Sequence, residues 1–117
     1  MAPPDAIMTT TLEPSEAALD RLVRHIVEVM LPLQIWLFGS RAEDRARPTS
    51  DYDLLVVMPD GTPESELDPV QAWRLGWEVR VTADIIPCTS SEFEEEKHEI
   101  DSLPRAATLR GRKLYER

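Results

Sequence analysis

A chain of 117 residues, 42% of them apolar, has the length and apolar content for one domain around one modest core. Its 22 acidic residues outnumber 13 Lys and Arg, and the resulting charge of −9 repels a nucleic-acid backbone, which argues against duplex nucleic acid as a partner. The single cysteine, Cys88, excludes an internal disulfide framework and a zinc site built mainly from thiolates, and reads as a small core residue.

Residues 1–14 carry three prolines and no helical apolar spacing, and read as a flexible leader ahead of one domain spanning 15–117. The leader lacks the basic start and long apolar run of a secretory signal, and no stretch approaches the roughly 20 apolar residues of a membrane span. A cytoplasmic protein with no membrane partner is the expectation. Over residues 15–31, Leu19, Leu22, Val23, Ile26, Val27 and Met30 recur at three- and four-residue spacings, which predicts an amphipathic helix capped by Ser15 and stopped by Pro32. His25 falls on its polar side and reads as an exposed helix residue.

Residues 33–38 form a short, nearly continuous apolar run closed by Gly39 and Ser40, which suits a strand buried on both faces. Two more strands are predicted over Tyr52–Met58 and over residues 79–86, the latter closed by Pro87. Between them Pro69–Glu78 has helical spacing, with Val70, Trp73 and Trp77 on one face. Those two tryptophans and Trp36 are expected to be core. Ser90 or Ser91 then caps a further helix whose first turn holds Glu92, Glu94 and Glu95. Pro104 and Gly111 read as interruptions, and Lys113, Leu114 and Tyr115 as a short closing strand. The acids from Glu92 to Asp101 and the bases from Arg105 to Arg117 read as two solvated faces, or as a contact surface for another chain. Helices interleaved with strands predict an α/β or α+β layer, a sheet covered mainly by helices.

Three features converge on one chemistry: Gly39 and Ser40 after a strand, Asp51 and Asp53 opening the next, and Asp84 inside the third. Residues 51 and 53 are two apart in a strand, so their carboxylates project to the same face and repel. With Asp84 on a neighbouring strand, three carboxylates in one small volume would raise a pKa or demand a cation. Magnesium answers that demand, because it is commonly held by a few carboxylates together with substrate phosphates and water. A residue without a side chain at 39 lets backbone N–H groups approach a phosphate, and the Ser40 hydroxyl adds a donor. Arg41 has two roles open to it: stabilising a leaving pyrophosphate, or pairing with Glu43 or Asp44.

The run Phe38-Gly39-Ser40-Arg41-Ala42, the ten residues from Arg41 to Ser50, and then Asp51-Tyr52-Asp53-Leu54 resemble the signature of minimal nucleotidyltransferases in the DNA polymerase beta superfamily. Ala83-Asp84-Ile85-Ile86 stands where that family keeps its third acid. The resemblance implies a nucleotidyltransferase fold, a small mixed sheet of three to five strands flanked by helices. It further implies transfer of a nucleoside monophosphate, usually AMP from ATP, to a hydroxyl with loss of pyrophosphate. Asp51, Asp53 and Asp84 would then bind two magnesium ions, Asp84 at the acceptor hydroxyl, while Gly39, Ser40, Arg41 and Ser50 would hold the nucleotide. Stand-alone domains of this size resemble the antitoxin of pairs whose toxin is a helical HEPN protein, and this implies such a partner as acceptor in a hetero-oligomer.

A haloacid dehalogenase phosphatase also uses two aspartates one residue apart, but there the pair follows a strand, whereas Asp51 and Asp53 precede one. Neither Cys88 nor His98 has a recognisable catalytic partner, and residues 95–98 read as a solvated helix face. The alternative from another class is a module that keeps the fold and neutralises a partner protein by contact alone. Retention of all three acids favours the enzyme.

Overall fold

The computed structural model describes residues 16–43 and 51–117. The leader, Ser15, Asp44 and Ser50 lie outside the described residues. Apolar spacing produces α1 (Glu16–Met30), which buries Leu19, Leu22 and Ile26. Leu31 then takes φ +55° and the chain turns at Pro32 into β1 (Gln34–Phe38). β2 (Tyr52–Met58) pairs antiparallel with β1, with Phe38 opposite Asp53. A short 3-10 turn (Glu64–Leu67) leads into α2 (Pro69–Glu78), whose N-cap Asp68 accepts the Val70 N–H at 2.9 Å. β3 (Ala83–Thr89) follows and runs parallel to β2. Two short helices, α3 (Ser90–Glu96) and α4 (Leu103–Arg110), precede β4 (Arg112–Glu116), which pairs antiparallel with β1.

The described strands form one mixed sheet in the order β3, β2, β1, β4. Alternation within each strand supplies two apolar faces. On one, Ile35, Leu37, Leu54, Val56 and Ile85 pack against α1 and α2. On the other, Phe38, Leu55 and Val57 meet Phe93 of α3 and Ala107 of α4, and Trp36 stacks on Phe93 at 5.8 Å between ring centroids. Both the layered α/β expectation and the doubly covered first strand therefore hold. Among the described residues no helix is long and apolar enough to cross a membrane.

Several boundaries differ from the sequence reading. The third strand begins at Ala83, not at residue 79, because residues 79–81 are spent turning the chain: Arg80 sits at φ +61° and the Val81 N–H returns to the Gly76 carbonyl at 2.9 Å. Nor does Pro87 end it. β3 is an edge strand, where a residue lacking an N–H is tolerated if that side faces away from the neighbour. The cap of α3 is Thr89, one residue before the predicted serines, in a reciprocal box: Thr89 Oγ1 accepts the Glu92 N–H at 3.2 Å and Glu92 Oε1 accepts the Thr89 N–H at 2.9 Å. Pro104 and Gly111 do not interrupt. They bracket α4, the proline in its first turn behind the N-cap Ser102 and the glycine just past its end.

The largest difference is the orientation of α2. Its buried face is Ala72, Leu75 and Gly76, leaving Val70, Trp73 and Trp77 exposed by 72%, 44% and 65%. The two tryptophans meet edge to face at 5.9 Å. Small residues decide the matter: a Cβ on Gly76 would lie 2.4 Å from the Val81 carbonyl oxygen, so only glycine lets the helix lie flush on the chain leading into β3. From outside, Arg21 of α1 donates from Nε and Nη2 to the Val79 carbonyl, and His25 is not simply exposed but pairs with Glu78 at 2.7 Å. The expectation of buried Trp73 and Trp77 is thereby corrected, while Trp36 is half-buried against the core.

Gly76→Ala is expected to destabilise the fold by about 1–3 kcal/mol in denaturant unfolding, since α2 must lift away from Val81. An unchanged midpoint would contradict the flush contact.

Candidate functional site

The acids occupy the starts of two parallel strands and the glycine follows the end of the antiparallel one. Asp53 is the register partner of Asp84 across β2 and β3, so both side chains project to the same side of the sheet from adjacent strands about 4.8 Å apart. Asp51 lies just ahead of β2, two residues before Asp53, and is exposed, as is Asp84; Asp53 is half-buried. Burial first, then the charges of Asp84 and Asp51, hold the Asp53 carboxyl above its ordinary value. Repulsion from Asp84 and Asp51 thus adds to the effect of burial at Asp53.

Gly39 stands directly against that carboxylate. It adopts φ +76°, and a Cβ at this position would lie 2.3 Å from Asp53 Oδ2. Its carbonyl accepts the N–H groups of Ala42 and Glu43 at 3.1 and 3.2 Å, which closes the turn from 39 to 43. Glycine is thus required twice, by the left-handed backbone and by the acid beside it. Ser40 is half-buried in this turn. The Arg41 guanidinium lies 5.3 Å from the centre of the Tyr52 ring, on the face opposite Asp53, and Glu43 meets Arg110 at 3.7 Å. Burial raises the Tyr52 pKa while the Arg41 charge opposes that rise. Spacing gives no sign of this ring beneath Arg41, because Tyr52 looks like one more apolar strand residue.

Among the described residues no three His, Cys, Asp or Glu side chains converge closely enough to enclose a metal ion. Magnesium does not require such an enclosure: it typically takes one or two protein carboxylates and completes its octahedron with water and substrate phosphates. Two hard oxygen donors in register, one already held above its ordinary pKa by burial and then by its neighbours' charges, fit such an ion. Cys88 offers no competing chemistry. Burial, followed by the charges of Glu92 and Glu96, pushes its thiol up to about 12, so it stays protonated at neutral pH.

Asp84 also lines an open groove of about 380 Å³ between α2 and β3, together with Pro69, Val70, Trp73, Ile85 and Ile86. Assigning Trp73 to the core hides this groove from a sequence reading.

Two outcomes test the geometry. Gly39→Ala is expected to destabilise the fold by about 1–3 kcal/mol, as the methyl group must displace Asp53 and accept a left-handed backbone; unchanged thermal unfolding would refute the contact. Because the native pKa of Asp53 is raised, the folded state binds its proton more tightly than the unfolded chain does. With divalent ions chelated, the resulting penalty is full above the native pKa and vanishes as pH falls to the ordinary carboxylate range. Asp53→Asn is therefore expected to melt no lower than the parent at neutral pH, with the difference narrowing toward about pH 4. A clearly lower midpoint at neutral pH would contradict the assigned repulsion.

Solved structures share the fold. The fold is similar to the crystal structure of a protein from Sulfolobus solfataricus put forward as a nucleotidyltransferase, with 20% identity, a TM-score of 0.52, and coverage of 89% of this chain and 91% of the other. It is also similar to a chain in the crystal structure of a toxin–antitoxin with AMP-PNP, with 16% identity, a TM-score of 0.52, and coverage of 89% and 75%. No curated protein matches the sequence. The model of the nucleotidyltransferase domain matches residues 19–113, most of the length, and the chain belongs to that family.

Proposed function

We propose that this nucleotidyltransferase domain transfers AMP from ATP, with magnesium, to a hydroxyl on a partner protein of the HEPN toxin type, and so acts as an antitoxin. The observation that carries the reading is the Asp53 and Asp84 pair in register beside the Gly39 turn. Asp51, Asp53 and Asp84 would hold the magnesium ions, which on binding supply positive charge to the triphosphate and to the acceptor oxygen. Gly39 and Ser40, with Ser50 by resemblance, would position the phosphates. In the transfer the acceptor oxygen bonds to the α-phosphorus, its proton passes to the Asp84 carboxylate, and the bond to the β-phosphate oxygen breaks as pyrophosphate leaves.

Arg41, whose guanidinium lies over the Tyr52 ring, would place its charge at the leaving pyrophosphate. A toxin–antitoxin with AMP-PNP among the structures of similar fold accords with this reading. The exposed Val70, Trp73 and Trp77 favour a second reading, neutralisation of the partner by contact alone.

Incubation of the chain with magnesium, ATP labelled at the α-phosphate and the HEPN-type partner separates the two. Label is expected on the partner, and Asp53→Asn or Asp84→Asn is expected to reduce its appearance by on the order of a hundredfold or more. Inhibition of the partner with no label transferred would overturn the enzymatic reading and leave contact.

A further inference from the structure

The exposed stripe of Val70, Trp73 and Trp77 on α2 stands beside the proposed site, because Val70 and Trp73 wall the groove that Asp84 also lines. Aromatic side chains cover roughly 150–250 Å² each when buried, so two rings about half exposed, with a mostly exposed valine, leave on the order of 300 Å² of apolar surface. A patch of that size on a single chain is often functional.

Recognition through backbone is closed here. Ala83 and Ile85 of β3 are only 2% and 1% exposed, so a visiting segment meets side chains and no free ladder. A helix suits such a surface, since its peptide groups are satisfied internally and its apolar side chains alone make the contact. Residues 70, 73 and 77 follow the spacing i, i+3, i+7, which makes a ridge about 10 Å long, the span of two turns in a facing helix.

Charge selects among helices. The stripe begins directly after Glu64, Glu66 and Asp68, and the one base of α2, Arg74, lines a separate hollow with Glu66 and Asp68. Basic residues at a visitor's flank therefore meet acids there. A second copy of the chain would bring the same three acids and a further charge of −9. About 300 Å² from each copy also falls well short of the roughly 800 Å² per partner of a stable complex. A partner whose hydroxyl enters the site adds the Asp84 groove to that area.

We propose that the stripe docks an amphipathic helix of the partner protein, apolar on one face and basic at its flank, and that this contact holds the acceptor hydroxyl near Asp84. Placing the hydroxyl rests on the transfer reading, whereas the docking surface stands without it.

The test uses the full chain and dye-labelled, end-capped helical peptides followed by fluorescence anisotropy. A peptide with leucines along one face and lysines along the other is expected to bind saturably without ATP, and Trp77→Ala to weaken it about tenfold. Trp77 does not wall the Asp84 groove, so magnesium–ATP affinity in that variant is expected to change less than about twofold. The same peptide with glutamate for lysine, or with mid-chain prolines that break its helix, is expected to bind at least about tenfold more weakly. With the HEPN-type partner as acceptor, Trp77→Ala is expected to raise the KM for the partner about tenfold and leave kcat within about twofold. Four results would each overturn the proposal: no saturable binding of the lysine peptide, equal binding of the glutamate or proline peptide, loss of ATP affinity in Trp77→Ala, which makes the stripe a base-stacking wall, or a parent dimer that Trp77→Ala disperses. Label transfer that Trp77→Ala leaves unchanged would also end it, with the transfer reading intact. Peptide binding by a parent that transfers no label would remove the transfer reading and the placement of the hydroxyl, and leave the docking surface.

Discussion

An oxygen of the Asp53 carboxylate lies where a side chain on residue 39 would begin, and the arrangement of the site depends on that near contact. It requires the left-handed glycine, which turns the chain sharply after β1. It also requires the antiparallel register that sets Phe38 opposite Asp53. From there the parallel pairing of β2 with β3 adds Asp84 beside the same carboxylate. Three separate chain segments are thereby drawn to one end of a sheet whose two central strands are largely apolar on both faces. The apolar strands supply the burial that holds mutually repelling acids together, a division common where stability is spent on function.

How much of this was readable in advance follows from which interactions are local. The two-residue spacing of Asp51 and Asp53 fixes a shared face through strand geometry alone, so it could be read directly. Gly39 was recognisable as special, but its reason was only half visible: the expected approach of a phosphate is local chemistry, whereas the Asp53 carboxylate arrives through long-range pairing. The place of Asp84 in register depended on a crossover that no spacing encodes.

The misreadings share one cause. In α2 the apolar pattern points to Val70, Trp73 and Trp77, yet burial went to Ala72, Leu75 and Gly76, because close approach to the Val81 carbonyl rewards absence of a side chain over hydrophobicity. At residues 79–81 apolar side chains suggested a strand, while the backbone was needed for a left-handed turn at Arg80. By type alone Pro104 and Gly111 read as breaks; by position, a proline in the first turn and a glycine just past the end mark a helix. Composition reports what a residue prefers, and these places were decided by what its neighbours leave room for.

The setting of α2 carries a consequence for recognition. The helix is held flush at Gly76 on its inner side, while Arg21 clamps the Val79 carbonyl and His25 pairs with Glu78 at its far end. Rolling about its axis to hide Trp73 would lift that inner contact and strip both outer ties at once. The two rings, already braced edge to face, therefore form a standing plate and not a side chain waiting to be ordered. Whatever settles on it meets a surface whose freedom was surrendered during folding, so little additional order is lost on association and contact there is correspondingly more favourable.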